Sequence, residues 1–349
     1  MNPALRLLAP VFLGLLGPAL VPAVAADGPY HFIKEIPVGG DGGWDYLTMD
    51  SASHRLYLSH GNVVAVVDTQ TDKVVGQVDD TPGVHGFAVV PKLGRGFSSN
   101  GRENKVNVVD LATLKTLSKV DVGQNPDWIF WEPGQNEIYT FNGRSHNSTV
   151  LAADSGKVVA TIELGGKPET AMADPSINRV FDNIEDKNEI VVIDTKSHTV
   201  VNHWPIAPNA AASGLAIDLA HKRIFLGCGD SNTMAMMDYT SGKIVASVPI
   251  GAGVDACSFD PGTQLAFSSC GGSGTVTIAH EDGADKLTVV QTLTTEKGAR
   301  TMTLDPATHR IYLASAKYLA AAQPAAGGAR GRPQMVPGSF KVLVYGTDK

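Results

Sequence analysis

Cysteine is scarce in this chain: Cys228, Cys257 and Cys270 are the only three among 349 residues. An odd count in an oxidising compartment leaves at least one thiol without an intrachain partner, so a disulfide framework is excluded as what holds the fold together. Charge is also sparse, at 18%, with a net of −7 and no block of Lys or Arg. That balance gives no electrostatic footing for nucleic acid or anionic lipid. Beyond residue 26 no stretch approaches about 18 uninterrupted apolar residues, so no later segment is expected to enter a membrane. Cofactor signatures are missing too. No C-x-x-C-H occurs, which excludes covalent haem. "GAGVDA" (251 to 256) joins two β-type runs instead of opening a helix, which excludes the dinucleotide fingerprint. "GGSGT" (271 to 275) fails G-x-S-x-G at its last position. The "DSGKVVATI" and "DYTSGKIVASV" turns lack the following Trp of quinone-dependent docking repeats, so no NAD, haem or quinone is expected.

The one apolar run that is present, "MNPALRLLAPVFLGLLGPALVPAVAA" (1 to 26), carries a single positive side chain, Arg6, and ends in small residues at Ala23, Ala25 and Ala26. It reads as a signal peptide, and the expected location is periplasmic or secreted. The remaining chain, 27 to 349, is expected to form one domain, because it is a repeat. From Asp50 in "DSASHRLYLSH" an aromatic follows seven residues on, at Tyr57. The same offset links Val90 to Phe97, Glu132 to Tyr139, Asp174 to Phe181, Asp218 to Phe225, Asp260 to Phe267 and Asp305 to Tyr312. Successive anchors lie 40, 42, 42, 44, 42 and 45 residues apart. That is the length of one four-stranded propeller blade.

Each unit holds four short β-type runs, as in "SGLAID", "RIFLGC", "TMAMMD" and "KIVASVPIG", with turn formers between them. Asp50 and Arg55 therefore mark a hairpin. The last unit stops at "FKVLVY" (340 to 345), one run short, and "IKEIPVGG" (33 to 40) matches the missing fourth run, "VASVPIGA" (245 to 252), in character. The expected fold is an all-β, seven-bladed propeller of four-stranded antiparallel blades. Its N-terminal strand joins the last blade and leaves no open sheet edge.

The segments "RLYLSH", "EIYTFN" and "RIYLAS", with "VVDTQTDKVVGQV" and "VIDTKSHTVV", resemble the YVTN-repeat, YncE-like propellers exported by bacteria. The resemblance covers the whole mature chain and implies the fold. It brings no shared catalytic motif with it. A DNA-binding role has been associated with that family, which this acidic chain does not support.

Five residues before each anchor stand Asp45, His85, Asp127, Glu169, Ser213, Asp255 and Arg300. In a propeller this position opens the innermost strand, so all seven are expected at one mouth of the central channel. Three residues past each aromatic, His60, Asn100, Asn142, Ile184, Cys228, Cys270 and Ser315 are expected to line the same funnel. Polar side chains at a wet channel need no ligand to explain them. Four acids in seven equivalent places nevertheless make a cation site a specific expectation: Asp45, Asp127, Glu169 and Asp255 around calcium or magnesium. The expected function is a binding or scaffold protein that takes a small molecule, ion or protein segment at the funnel. The alternative is a lactonase-type hydrolase with His85 or Glu169 as general base and Arg300 stabilising the carbonyl oxygen. Residues 316 to 339, "AKYLAAAQPAAGGARGRPQMVPGS", are surplus to the last unit and expected on the funnel side, as a lid carrying Arg330 and Arg332 or as a loop. Cys228 and Cys270 with Met234, Met236 and Met237 suggest soft copper(I) ligands or a thioether-filled blade interface; the second costs less.

Overall fold

Alternating apolar residues at each run and turn formers between runs give seven antiparallel sheets of four strands each. The computed structural model describes residues 28–319 and 334–347. The innermost strands of blades 1 to 7 are Trp44–Asp50, Val84–Val90, Pro126–Glu132, Pro168–Asp174, Ala212–Asp218, Val254–Asp260 and Met302–Asp305. Within each blade the chain steps outward strand by strand, and in blade 7 the outermost strand is His31–Pro37, paired antiparallel with Lys341–Gly346. The ring is closed by the two ends of the chain, as the repeat predicts.

The hairpin read from "DSASHRLYLSH" is a structural turn. Ser53 Oγ donates to Asp50 Oδ2 at 2.6 Å, and Arg55 Nη1 donates to the Leu111 carbonyl of the next blade at 3.0 Å. The fourth residue past every anchor has positive φ: His54, Gly94, Asn136, Asn178, Lys222, Gln264 and His309. These tight turns are what the Asp side chains cap. The seven aromatics, Tyr57 through Tyr312, are all buried. They pack in clusters that straddle neighbouring blades, as where Phe267 of blade 6 meets Leu313 and Leu343 of blade 7.

The three cysteines are free thiols, and Met234, Met236 and Met237 are wholly buried in the same interblade packing. Burial pushes the Cys228 and Cys257 thiols up to about 12 and Cys270 up to about 11. The thiolate is the reactive species. A disulfide-forming thiol reagent at pH 8 is therefore expected to modify all three in denaturant and at least about a hundredfold more slowly in the native protein. Fast labelling of even one native thiol would contradict this packing.

The surplus segment of blade 7 leaves the second strand at Ser315 and returns at Lys341, on the side where the inner strands begin. Its base is a short ladder, with Tyr318 bridged to Met335, and Gly338 N–H reaches Asp41 Oδ1 at 3.2 Å. Arg330 and Arg332, like the signal peptide expected at 1 to 26, lie outside the described residues.

Candidate functional site

Strand order alone does not aim a side chain into a channel; a bulge does. In blades 1 to 6 the register of the inner strand slips at the predicted position, between Trp44 and Leu47, Val84 and Gly86, Pro126 and Ile129, Pro168 and Ala171, Ala212 and Gly214, and Val254 and Ala256. His85, Ser213 and Asp255 are the single residues left over at their slips, and Asp45, Asp127 and Glu169 are left over together with Tyr46, Trp128 and Thr170; a bulged residue is free of the ladder and turned by it. Arg300 stands just ahead of its short strand. Side chains from the second strands brace this ring. Ser99 Oγ donates to the Asp127 carbonyl at 2.5 Å, Asn183 Nδ2 to the Ser213 carbonyl at 3.0 Å, and Ser269 Oγ to the Arg300 carbonyl. Two glycines leave the space the larger members need: a Cβ on Gly101 would lie 2.8 Å from His85 Nε2, and one on Gly271 would lie 2.7 Å from Arg300 Cβ.

The charged members form a chain across the mouth. His85 Nδ1 is 2.7 Å from Asp45 Oδ2 and 3.4 Å from Asp127 Oδ1. Arg300 Nε donates to Asp255 Oδ2 at 2.5 Å, and its Nη2 lies 3.4 Å from Asp45 Oδ1. Glu169 is paired with Lys167, which also holds Glu185 Oε2 at 2.6 Å. Asp45, His85 and Asp127 each offer a ligand atom, and these atoms lie within 4.8 Å of one another. The four-acid cage expected from the sequence is thus divided. Asp45 and Asp127 meet at His85, while Glu169 and Asp255 each carry a cation of their own.

Burial governs the protonation of this cluster. It pushes Asp127 up to about 7 against the pull of His85, with Asp45 adding repulsion. Burial and the Asp127 charge raise Glu169 to about 8 although Lys167 opposes them. Burial likewise lifts Asp255 to about 6 in spite of Arg300. For His85 burial opposes the charged form, but the hydrogen bond to Asp45 and the charge of Asp127 outweigh it and raise the imidazole to about 9. Asp127 Oδ1 has no hydrogen-bond partner; its contact with His85 is one of charge only.

The second ring does not line the mouth. His60, Asn100 and Asn142 are buried. They stand opposite Trp44, Val84 and Pro126, at the correct end of each blade. Their side chains, however, are used within the blades or between them. Asn100 donates to Asn107 Oδ1 at 2.8 Å, Asn142 to Thr149 Oγ1 at 3.0 Å, and His60 stacks on Phe340 at 4.1 Å. Ile184, Cys228, Cys270 and Ser315 are buried as well. The last residue of a second strand is flanked by sheet on both sides, and only the innermost strand meets the channel.

Four residues not singled out from the sequence belong to the site. Tyr46 and Trp128, each one residue past a ring acid, pack edge to face at 4.7 Å. They form one end of an apolar cavity of about 300 Å³ that runs on to Pro261 and Pro306. Lys167 and Glu185 were legible as departures from the repeat: the residue after the second strand is Gly61, Gly101, Gly143, Gly229, Gly271 or Ala316 in the other blades and Glu185 in blade 4, and the residue two before the ring member is uncharged in every blade except at Lys167.

The fold defines a class, the seven-bladed β-propellers, and the solved structures agree. The chain is similar to a chain of Kuenenia stuttgartiensis hydrazine synthase, at 19% identity over 85% of this chain and 96% of that one with a TM-score of 0.67. It is similar to a chain of a mitotic checkpoint complex, at 13% identity over 99% of each chain with a TM-score of 0.73. U3-55K matches at 9% identity over 89% of this chain and 98% of that one, also with a TM-score of 0.73. At these identities the likeness is one of fold. No protein-family model matches the sequence, and no curated relative matches it.

Proposed function

We propose that this is an exported YVTN-type propeller that binds a divalent cation, and through it a small polar ligand, at the channel mouth. One observation carries the reading: the ligand atoms of Asp45, His85 and Asp127 converge within 4.8 Å. Two carboxylates and an imidazole suit zinc or manganese better than calcium or magnesium, because nitrogen donors favour transition metals. Burial supports it too, since a cation would neutralise desolvated carboxylates that otherwise hold protons.

The hydrolase reading has less support. A general base must be free to accept a proton near the working pH. His85, raised to about 9, already carries one at neutrality. Arg300 is engaged by Asp255 and Asp45, so little of its charge is left for a developing oxyanion.

Calorimetric titration of zinc and manganese into chelator-stripped protein is the test. Binding at the mouth is expected, weakened at least about tenfold by Asp127→Asn and by His85→Gln, as loss of metal ligands requires. Equal affinity in wild type and both variants would remove the proposal.

A further inference from the structure

We propose a second divalent-metal site, on the face opposite the channel mouth, formed by Asp218 and His221 of blade 5 and Glu281 of blade 6, which clamps the two blades together. It is independent of the site at the mouth. The residue three past the anchor is Ser53, Thr263 or Thr308 in blades 1, 6 and 7, and its hydroxyl donates to the anchor Asp. In blade 5 that residue is His221, whose Nδ1 lies 2.5 Å from Asp218 Oδ2. The residue just past the third strand faces the anchor of the preceding blade. In blade 5 it is Tyr239, whose hydroxyl donates to Asp174 Oδ2 at 2.8 Å. In blade 6 the equivalent place, which a longer third strand takes in, holds Glu281, so a carboxylate faces a carboxylate. Two departures from the repeat, in neighbouring blades, meet at one point.

Blade 6 is built to deliver Glu281. Its third strand, Thr275–Gly283, has nine residues, where the third strands of the other blades, such as Thr233–Asp238, have six. The longer hairpin leans over blade 5, fixed there by Arg223 Nε donating to the Ala284 carbonyl at 2.6 Å. Asp218 and Glu281 are 3% and 2% exposed. Neither Glu281 oxygen has a hydrogen-bond partner, and the basic group beside it is His221, whose Nδ1 lies 3.4 Å from Oε2. Two buried acids facing each other with an unpartnered oxygen pair call for a shared cation. The three ligand atoms lie within 4.8 Å of one another. Zinc needs donors about 2.0 to 2.2 Å from the ion, so the close Asp218–His221 pair must part by under about 1 Å, which an exposed turn side chain permits. The exposed side of His221 leaves a fourth position open to solvent.

The probe is zinc on the full chain after chelator treatment, with stoichiometry by dialysis and ion positions by anomalous scattering from crystals. An ion is expected between Asp218, His221 and Glu281. Glu281→Gln and His221→Ala should each weaken that site at least about tenfold and leave the mouth unchanged. His221 is largely exposed, so its variant tests binding without disturbing the core. No anomalous peak at this turn, or unchanged zinc binding in both variants, overturns the proposal. Asp127→Asn reports on the mouth separately, so either site can fail alone.

Discussion

Metal-free protein is expected to lose stability as pH rises from about 6.5 to about 8.5, by an amount on the order of 3 kcal/mol. An acid whose folded pKa lies above its unfolded value holds more protons folded than unfolded, so folding weakens as pH climbs from the lower value through the higher. Asp127 at about 7 and Glu169 at about 8 both do this. Burial opposes the charged form of His85, but its carboxylate neighbours raise it to about 9. The stabilisation this gives is complete below pH 6.5 and lost as pH passes through about 9. All three slopes have the same sign. Asp174 and Asp194 are held below their usual range by hydrogen-bonding partners that outweigh burial for Asp174 and by backbone amides for Asp194, and their effects are complete well below this window. His60, lowered by burial, acts in the opposite sense only below about pH 6.5.

Thermal unfolding across this range, with and without zinc, measures the effect. Asp127→Asn should flatten the profile, because it removes one titrating group and the charge that helps raise both His85 and Glu169. It should also raise stability at pH 8.5 while weakening cation binding at the mouth, an exchange of stability for function. Saturating zinc should flatten the wild-type profile in the same way. A wild-type melting temperature independent of pH, or one that rises with it, would show that the mouth acids are not desolvated as described.

Blade number, ring closure and the ring of side chains at the mouth were legible for a single reason: a forty-residue unit repeated seven times fixes the offset from the blade aromatic to the bulge of the inner strand. Position in the unit therefore translated into position in space. What each side chain touches did not follow from the offset. Asn100 and Asn142 stand at the right height, but a second strand has sheet on both sides, and its last side chain turns into the blade. Pairing was illegible for the same reason. Lys167, two residues ahead of Glu169, also claims Glu185 from the end of the second strand, and Arg300 claims Asp255 from the neighbouring blade, across loops whose approach only the folded chain sets. The sharper signal was breakage of the repeat. Glu185 in place of glycine, and His221 and Glu281 in place of neutral residues, mark chemistry that an averaged blade would hide.

Ile36→Asp is expected to be the most damaging single change away from either site. Ile36 is wholly buried in the strand that closes the ring, packed among Leu56 and Val67 of blade 1 and Tyr312 and Val342 of blade 7. Losing a core Ile costs about 2 to 5 kcal/mol, and a carboxylate in its place adds the cost of a buried unpaired charge. The strand has further anchors. The Gln291 side chain holds the Tyr30 backbone through two hydrogen bonds of 3.0 and 2.7 Å, and the Tyr30 hydroxyl donates to the His309 carbonyl at 2.7 Å. When Ile36 is replaced, the strand from His31 to Pro37 should release while Tyr30 stays tethered. The outward edge of Lys341–Gly346 would then stand open, an invitation to pair with another chain. The expected result is a loss of at least about 5 kcal/mol, together with concentration-dependent association. Val75→Asp supplies the comparison: Val75 lies in the outermost strand of blade 1 and is 49% exposed, so the same charge there should cost under about 1 kcal/mol. Equal melting temperatures for the two variants would mean that His31–Pro37 does not close the ring.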